Sequence, residues 1–273
     1  MLAAAAACTV WGASFLLTKV ALEGMDTPDV VAWRFLTAVP FLLLLARRVR
    51  PPRRHVPAFA FGGLIGVPLL FLLQVEGVTH TTATRAALLI GALPPMAAVG
   101  GALVLRERFT RRLGASLQLS TFGLVVLVGG PTRGDYLLGD VLVFASVVVS
   151  VAYILVTGRI VRRYDAAGAA AWLQLAGTAW LMAAYLPWRG LPPVPRGAGM
   201  WAALLGLGLG CTVLANVLWN VGLRDLGASR AGLFVNLEPV VGAFLGVWLL
   251  GEPFSAGAAA SGALILAAAL LAR

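Results

Sequence analysis

An acidic side chain beside a proline, deep inside an apolar run, is the part of this sequence best suited to chemistry. The run from Ala228 to Leu250 reads ASRAGLFVNLEPVVGAFLGVWLL and is long enough to cross a bilayer core of about 30 Å. An ionised carboxylate is costly in hydrocarbon, so Glu238 should be protonated, paired or facing water. We therefore predict that Glu238 binds a proton or a substrate amine, the alternative being a buried structural hydrogen bond.

Pro239 makes the backbone irregular next to this carboxylate. Proline has no N–H and its ring clashes with the carbonyl four residues back, so we expect the carbonyl of Val235 to be freed. Asn236 lies about 200° from Glu238 round a regular helix and can share its site only if the helix breaks. We predict this break at Pro239 and include Asn236 among the substrate-binding residues.

The same pattern occurs a second time in the chain. Residues 83–109 align with residues 228–254 without a gap, and the identical pairs include Arg85/Arg230, Pro94/Pro239 and Glu107/Glu252. Pro94 and Pro95 are therefore predicted to break or hinge the first copy as Pro239 breaks the second. Proline-interrupted spans at matching positions of two halves indicate the binding site of a transporter.

Neighbouring apolar spans carry polar and aromatic faces. Trp11, Ser14 and Phe15 share one face of the first span, and Tyr153 lies on a similar face of the sixth. We predict that these four side chains line a substrate cavity rather than face lipid. The alternative is helix packing held by hydroxyl hydrogen bonds.

Carboxamides and a tryptophan group together on the eighth span. Asn216 and Asn220 are one helical turn apart with Trp219 beside them, and Gln74 is the counterpart of Trp219 in the first half. Carboxamides both donate and accept hydrogen bonds, and an indole face can cover a ring or a cation. We predict that all four residues bind substrate, the alternative being an interhelical amide bond.

Charged side chains lie near the ends of several spans. Arg34 lies inside the second span, where it can attract an anionic group, pair with a carboxylate or reach back to the interface. Arg85 and Arg230 lie near span starts, and we expect them to anchor the interface, with gate closure as the alternative. The acidic loop that holds Asp26 and Asp29 is predicted to be solvated.

Membrane-spanning helices must position these residues, because the chain is 60% hydrophobic and 12% charged. The apolar runs are too long and too continuous for the strands of a β-barrel. We predict an all-α membrane protein whose ten spans lie at about residues 2–21, 28–45, 57–77, 82–104, 111–129, 138–158, 167–187, 200–222, 228–250 and 255–271.

The orientation follows from the positive-inside rule. The net charge of +10 comes from arginines in alternate short loops, such as residues 47–54 and 159–163, so those loops and both termini are predicted to be cytoplasmic. That distribution also argues against nucleic acid as a partner. Five spans in each half make residues 1–133 and 134–273 two repeats of opposite orientation within one membrane domain.

Several short motifs accompany this duplication. They are Trp11-Gly12-x-x-Phe15, Arg34-Phe35, Leu237-Glu238-Pro239 and the span ends at Glu107 and Gly251-Glu252. In these motifs, and along its whole length, the chain resembles the EamA-type ten-helix transporters of the drug/metabolite transporter superfamily. The resemblance implies two inverted five-helix repeats around a central cavity and transport of small metabolites, commonly outward, without fixing a substrate.

The expected function is secondary active transport by alternating access in the cell inner membrane, above all export of amino acids or related compounds. A facilitative metabolite carrier without proton coupling, resembling nucleotide-sugar carriers, is one alternative, and a channel or an intramembrane enzyme is another. The chain lacks H-E-x-x-H, G-x-S-x-G and P-loop motifs, so we predict no enzyme activity, cofactor or metal. The expected partners are a small-molecule substrate, the lipid bilayer and coupling protons, and the oligomeric state is left open.

Overall fold

Helices form all the regular structure in the part of the chain that the structure describes. The structure is a computed structural model and describes residues 1–105, 111–128, 133–161, 163–226 and 234–271. In the first half the helices are α1 (Leu2–Leu22), α2 (Thr27–Ala46), α3 (Val56–Leu64), α4 (Leu70–Thr79), α5 (Ala83–Ile90), α6 (Leu93–Leu105) and α7 (Arg111–Val128). In the second half they are α8 (Arg133–Val161), α9 (Ala166–Arg189), α10 (Ala198–Leu205), α11 (Ala215–Leu226), α12 (Leu237–Leu250) and α13 (Ala256–Leu271).

Among the described residues, 7 helical stretches are long and apolar enough to cross a bilayer. Three of them run through adjacent helices: Arg53–Thr79, Ala83–Gly101 and Ala198–Gly222. Shorter apolar helices occupy Gly114–Leu127, Leu237–Leu250 and Ala256–Ala268. The chain is therefore helical and apolar as predicted, while ten membrane crossings in inverted repeats stay a prediction.

Large apolar side chains cover the outside of the helix bundle. Leu44 is 55% exposed, Phe122 60% and Trp248 69%, whereas Ala7 and Ala86 in the interior are fully buried. This distribution suits a lipid solvent, because helices in a bilayer associate by close packing of small residues rather than by hiding large apolar ones.

Two helical stretches contain π-helical segments near their middle. Ile65–Leu69 joins α3 to α4, and Gly206–Leu214 joins α10 to α11. In the second segment the hydroxyl of Thr212 donates to the carbonyl of Leu207 at 3.0 Å. Pro68 lies in the first segment, where its missing N–H fits the altered bonding. Such segments interrupt the regular hydrogen-bond pattern and occur often at functional sites.

Both proline-bearing spans break on the N-terminal side of their prolines. A turn at residues 91–92 separates α5 from α6, and Pro94 and Pro95 follow in the first turn of α6. In the same way, a turn at residues 235–236 precedes α12, and Pro239 lies in its first turn. Proline is tolerated there because the N–H groups of a first helical turn have no intrahelical partner.

The expectation that Pro239 frees the carbonyl of Val235 is wrong. That carbonyl accepts a hydrogen bond from the backbone N–H of Glu238 at 3.1 Å. The physical reason is that residues 235–236 form a turn before α12 begins at Leu237, so the Val235 carbonyl bonds within that turn.

Two groups of helices, each with members from both halves of the sequence, surround the centre of the protein. In one, which we name the α8 group, α4, α5 and α6 pack against α8. In the other, the α1 group, α11 and α12 pack against α1. The two groups touch where α5 contacts α12, while α2 packs against α9 and α7 packs against α13.

A buried carboxylate connects α2 to α9. Asp29 is 3% exposed and accepts a hydrogen bond from the hydroxyl of Tyr185 at 2.5 Å. A terminal nitrogen of Arg189 lies 3.6 Å from Asp29 and 2.7 Å from the exposed carboxylate of Asp26. The predicted solvation therefore holds for Asp26 and is wrong for Asp29, because Tyr185 and Arg189 replace water around its charge.

Candidate functional site

A cavity of about 250 Å³ lies where the two helix groups meet α2 and α9. The predicted site residues that line it are Trp11, Ser14, Arg34, Gln74, Tyr153, Asn216 and Glu238. Both π-helical segments reach it as well, through Val67 and Thr212. Pockets for drug-sized ligands occupy about 300–1,000 Å³, so this cavity suits one smaller metabolite.

Arg34 brings a positive charge to the cavity. It is 5% exposed, its Nε donates to the hydroxyl of Thr212 at 3.1 Å, and its guanidinium carbon lies 4.3 Å from the ring centroid of Phe71. Arg34 therefore does not reach back to the interface, and no carboxylate of the described ranges forms an ion pair with it. Its terminal N–H groups can bind an anionic group of a ligand.

Glu238 brings a negative charge to the same cavity. It lies in the first turn of α12, where the partial positive charge of the helix start favours a carboxylate. No donor in the described part of the chain forms a hydrogen bond or an ion pair with its carboxylate. Its backbone is held by α1, because a Cβ on Gly12 would be 2.7 Å from the Glu238 carbonyl oxygen.

Trp11 is fixed in the cavity wall by contacts with α11 and the π-helical segment before it. Its indole N–H donates to the carbonyl of Cys211 at 3.0 Å, and the Cys211 thiol donates to the carbonyl of Val10 at 3.3 Å. The Trp11 ring packs on Trp219 with ring centroids 5.5 Å apart. Trp219 therefore supports Trp11 from behind and does not itself line the cavity.

The two predicted asparagines bond to their own helix. Nδ2 of Asn216 donates to the carbonyl of Thr212 at 2.7 Å, and Nδ2 of Asn220 donates to the carbonyl of Asn216 at 2.8 Å. Asn216 lines the cavity, whereas Asn220 lines a narrow adjoining gap that it shares with Gln174 and Thr212. Polar side chains thus extend from the cavity along α11.

Two other predicted substrate contacts lie away from the cavity lining. Phe15 is 2% exposed and packs in a core cluster with Leu88 and Val143. Asn236 lies in the turn before α12, and its buried Nδ2 has no hydrogen-bond partner within the described residues. The break before α12 exists, but it does not bring Asn236 to the cavity.

Several residues that line the cavity are absent from the predicted set: Phe71, Gln174 and Thr212. Oε1 of Gln174 is buried and has no hydrogen-bond partner among the residues that the structure describes. Gln174 is an isolated carboxamide in an apolar span, and that signal is sufficient to select it from the sequence. Thr212 lies one turn before Asn216, but its bond to Arg34 depends on how α2 packs on the π-helical segment before α11.

Arg85 forms a buried ion pair rather than an interface anchor. Its Nε donates to Oδ1 of Asp140 at 3.2 Å, and a terminal nitrogen contacts Oδ2 of the same carboxylate. Asp140 is 1% exposed and also accepts from the hydroxyl of Thr81 at 2.8 Å. Arg230, the duplicate of Arg85, lies outside the described residues, as does Glu107.

Comparisons with known proteins show that the sequence is similar to those of transporters. The sequence matches the EamA-like transporter family over residues 1–129 and 137–273. It is 29% identical over 254 residues to an uncharacterized transporter of Archaeoglobus fulgidus, covering 89% of this chain and 86% of the relative. It is 26% identical over 243 residues to the uncharacterized transporter YyaM of Bacillus subtilis, covering 84% and 79% of the two chains. A solved crystal structure is similar in fold, with a TM-score of 0.67 at 23% identity over 99% of this chain and 96% of that one.

Proposed function

The chain belongs to the EamA-like transporter family, and on this premise we propose that it is a secondary active transporter that exports amino acids or related zwitterions. Transport would proceed by alternating access across the cell inner membrane. The family supports a multi-pass membrane transporter, whereas the substrate, the direction and the coupling are the proposal.

Two opposite charges in one cavity are the observation on which the proposal depends. Arg34 offers guanidinium N–H groups that suit a carboxylate, and Glu238 offers carboxylate oxygens that suit an ammonium. Oε1 of Gln174 adds an acceptor without a partner in the described residues. A zwitterion would pair with all three groups at once, and buried charges are costly when left unpaired. Trp11 and Tyr153 add aromatic surface for the substrate's side chain.

We propose that residues 1–133 and 134–273 form two inverted five-helix repeats around this cavity. Helix contacts support the proposal. When each span in a contact is replaced by its counterpart in the other half, the result is a second contact that the structure also contains. α4 packs on α8 as α11 packs on α1, and α6 packs on α8 as α12 packs on α1. The π-helical segments likewise fall in the third and eighth predicted spans. A repeat of this kind lets the two helix groups open the cavity to each side in turn.

The arginine-rich loops support an orientation with both termini in the cytoplasm. In that orientation the start of α5 and the end of α12 lie at the extracellular side, and ten crossings bring the chain back to the cytoplasm.

Glu238 is proposed to bind the coupling proton. A carboxylate that loses its ammonium partner in a dry cavity can be neutralised by a proton. Substrate and proton would then bind Glu238 in turn, which makes their exchange obligatory. A facilitative carrier without proton coupling is the second candidate, because the same charges also bind a zwitterion in the absence of a gradient.

Efflux from liposomes that contain the purified protein tests the proposal. The liposomes are loaded with a mixture of amino acids, nucleobases and sugars, and mass spectrometry follows each compound. We expect selective loss of amino acids, accelerated when the outside is more acidic than the inside. The variant Glu76→Gln is a control, because it removes a carboxylate that is 46% exposed and is not among the residues that line the cavity.

Each outcome separates the candidates. Amino acid loss that ignores the pH gradient favours the facilitative carrier. Selective loss of nucleobases or sugars overturns the zwitterion assignment, and retention of every compound by folded protein overturns transport of these classes.

A further inference from the structure

The start of α5 is held by a carboxylate that follows α12. Glu252 accepts hydrogen bonds from the backbone N–H of Ala83 at 2.7 Å and from that of Thr84 at 2.8 Å. These N–H groups belong to the donors that every helix start leaves without an intrahelical partner. We propose that this contact, which we name the Glu252 latch, closes the extracellular gate and breaks when the cavity opens to that side. The inference rests on the alternating-access transport proposed above.

A glycine turn directs Glu252 toward α5. α12 ends at Leu250, and Gly251 has φ +64°, a left-handed conformation that glycine adopts without strain. The N–H of Glu252 then donates to the carbonyl of Gly246 at 3.2 Å, so the chain folds back over the last turn of α12. A Cβ on Gly246 would lie 2.5 Å from the Thr84 hydroxyl and 2.7 Å from Glu252 Oε2. The two helices are therefore in close contact at the Glu252 carboxylate, and a side chain larger than that of glycine at position 246 would clash there.

The latch joins the two helix groups, as does a longer hydrogen bond of 3.4 Å from the Thr84 hydroxyl to the carbonyl of Ala243 in α12. The ion-pair cluster at the start of α5 instead stays within one group. Arg85 and Thr81 both bind Asp140 of α8. Because α5 and α8 belong to the α8 group, a movement of the two groups past each other leaves this cluster intact. Glu252 follows α12 of the α1 group, so the same movement breaks both of its hydrogen bonds.

The chemistry of the two contacts fits these different roles. Separation of Arg85 from Asp140 would leave two buried charges unpaired, which is strongly unfavourable. Separation of Glu252 from α5 exposes one carboxylate and two N–H groups at the end of the bundle. Water can replace each lost partner there, so the exchange costs little. The contact between Arg85 and Asp140 therefore suits a permanent connection between α5 and α8. The contact between Glu252 and α5 suits one that forms and breaks in every transport cycle.

Sidedness of cavity access tests the latch without any substrate. The Ser14→Cys variant places a thiol in the cavity wall. Cys8 is 0% exposed and Cys211, which lines the same cavity, is 1% exposed, so each protein without Ser14→Cys gives its own background. A charged, membrane-impermeant thiol reagent is added to one side of the membrane at a time. We expect Glu252→Ala to raise the labelling rate from the side opposite the arginine-rich loops roughly tenfold, about the factor of one hydrogen bond to a charged group.

A second variant tests the same contact while keeping the carboxylate. Gly246→Ala inserts a methyl group between α5 and α12 and is expected to raise labelling from the same side as Glu252→Ala does. Gly158→Ala adds an equal volume where a Cβ meets no described part of the chain within 4 Å, and Glu76→Gln removes a carboxylate outside the latch. Both controls should label at the parent rate.

Unchanged labelling in both latch variants, or an equal rise from both sides, overturns the latch. A one-sided rise in a protein that exports no zwitterion supports the latch and rejects the proposed substrate. Zwitterion export with unchanged labelling leaves the proposed function standing and removes the latch.

Discussion

The guanidinium of Arg34 is fixed on two sides and open on the third. Thr212 binds its Nε, and the ring of Phe71 covers one face. The open edge presents parallel N–H groups, which match a carboxylate in a way that a lysine ammonium does not. Recognition of a substrate carboxylate therefore depends on the planar fork as well as on the charge.

Replacement of Arg34 by lysine separates these two contributions. We expect Arg34→Lys to raise the KM for an exported amino acid about tenfold, because a bidentate, charge-assisted contact is lost. The decarboxylated amine, tested as a competitor, should bind the variant and the parent alike. Equal weakening of amino acid and amine would show that Arg34 supports the cavity without contacting the carboxylate.

Gly12 sets the position of Glu238 through backbone contact. A Cβ at Gly12 would lie 2.7 Å from the Glu238 carbonyl oxygen and 2.8 Å from Cβ of Val241, and neither atom can rotate away. Gly12→Ala should therefore push α1 and α12 apart, destabilise the protein by about 1–3 kcal/mol and reduce turnover. Thermal unfolding in detergent and efflux rates measure both effects, with Gly158→Ala as the matched control. Parent values in both assays would contradict this account of the Gly12 position.

At the scale of elements, the contact between α2 and α9 contains a charge that depends on one hydroxyl. Tyr185→Phe removes the hydrogen bond to Asp29 and leaves Arg189 as the remaining partner of that carboxylate. We expect a loss of about 2 kcal/mol in unfolding free energy, the usual size for a hydrogen bond to a charged group. Chemical denaturation in detergent measures the loss.

A double-mutant cycle with Asp29→Asn identifies the source of this loss. The two substitutions should destabilise less together than the sum of their single effects, because both remove the same contact. Strict additivity would show that Tyr185 stabilises α9 by packing alone.

The sequence predicts the ends of a helix closely where neighbouring residues alone determine the change in hydropathy. The second predicted span, 28–45, corresponds to Thr27–Ala46, and the seventh, 167–187, corresponds to Ala166–Arg189. The third predicted span, 57–77, contains the π-helical segment Ile65–Leu69, which the apolar pattern does not reveal. The hydropathy of a segment indicates whether water or lipid surrounds it. π-Helical hydrogen bonding instead depends on the helices packed around the segment.

The residues of the candidate site likewise divide into those that the sequence predicts and those that it does not. Trp11, Gln74 and Glu238 are visible as polar or aromatic groups in apolar spans, and all three line the cavity. The bond of Arg34 to Thr212 joins residues 178 positions apart, and no local pattern predicts it. Asn220 shares a helix face with Asn216 but lies one turn farther along α11, where the main cavity has ended.

At the scale of the whole molecule, one carboxylate would connect the proton gradient to substrate movement. Glu238→Gln keeps the shape of the side chain and removes its charge, so we expect efflux to lose its response to an imposed pH gradient. Efflux of one amino acid at several gradients measures the response, and Glu76→Gln should retain it. A full response in Glu238→Gln would move the coupling group away from this residue.

The duplication predicts a second latch that acts on the opposite side of the membrane. Glu107 aligns with Glu252, and residues 228–229 align with residues 83–84, although Glu107 and residues 228–229 lie outside the described residues. If the repeats are inverted, removal of the Glu107 carboxylate favours opening toward the arginine-rich loops. We expect Glu107→Ala to raise labelling of Ser14→Cys from that side roughly tenfold, as loss of one charge-assisted hydrogen bond would.

A double variant distinguishes loss of the two gate contacts from a general loss of packing. Glu107→Ala and Glu252→Ala together should restore the parent ratio of labelling rates from the two sides, because each removes the closure opposed to the other. A general loss of packing would instead raise both rates without regard to side. If Glu107→Ala acts on the same side as Glu252→Ala, the two halves cannot be inverted copies of one gate, and the alternating-access scheme would need a different symmetry.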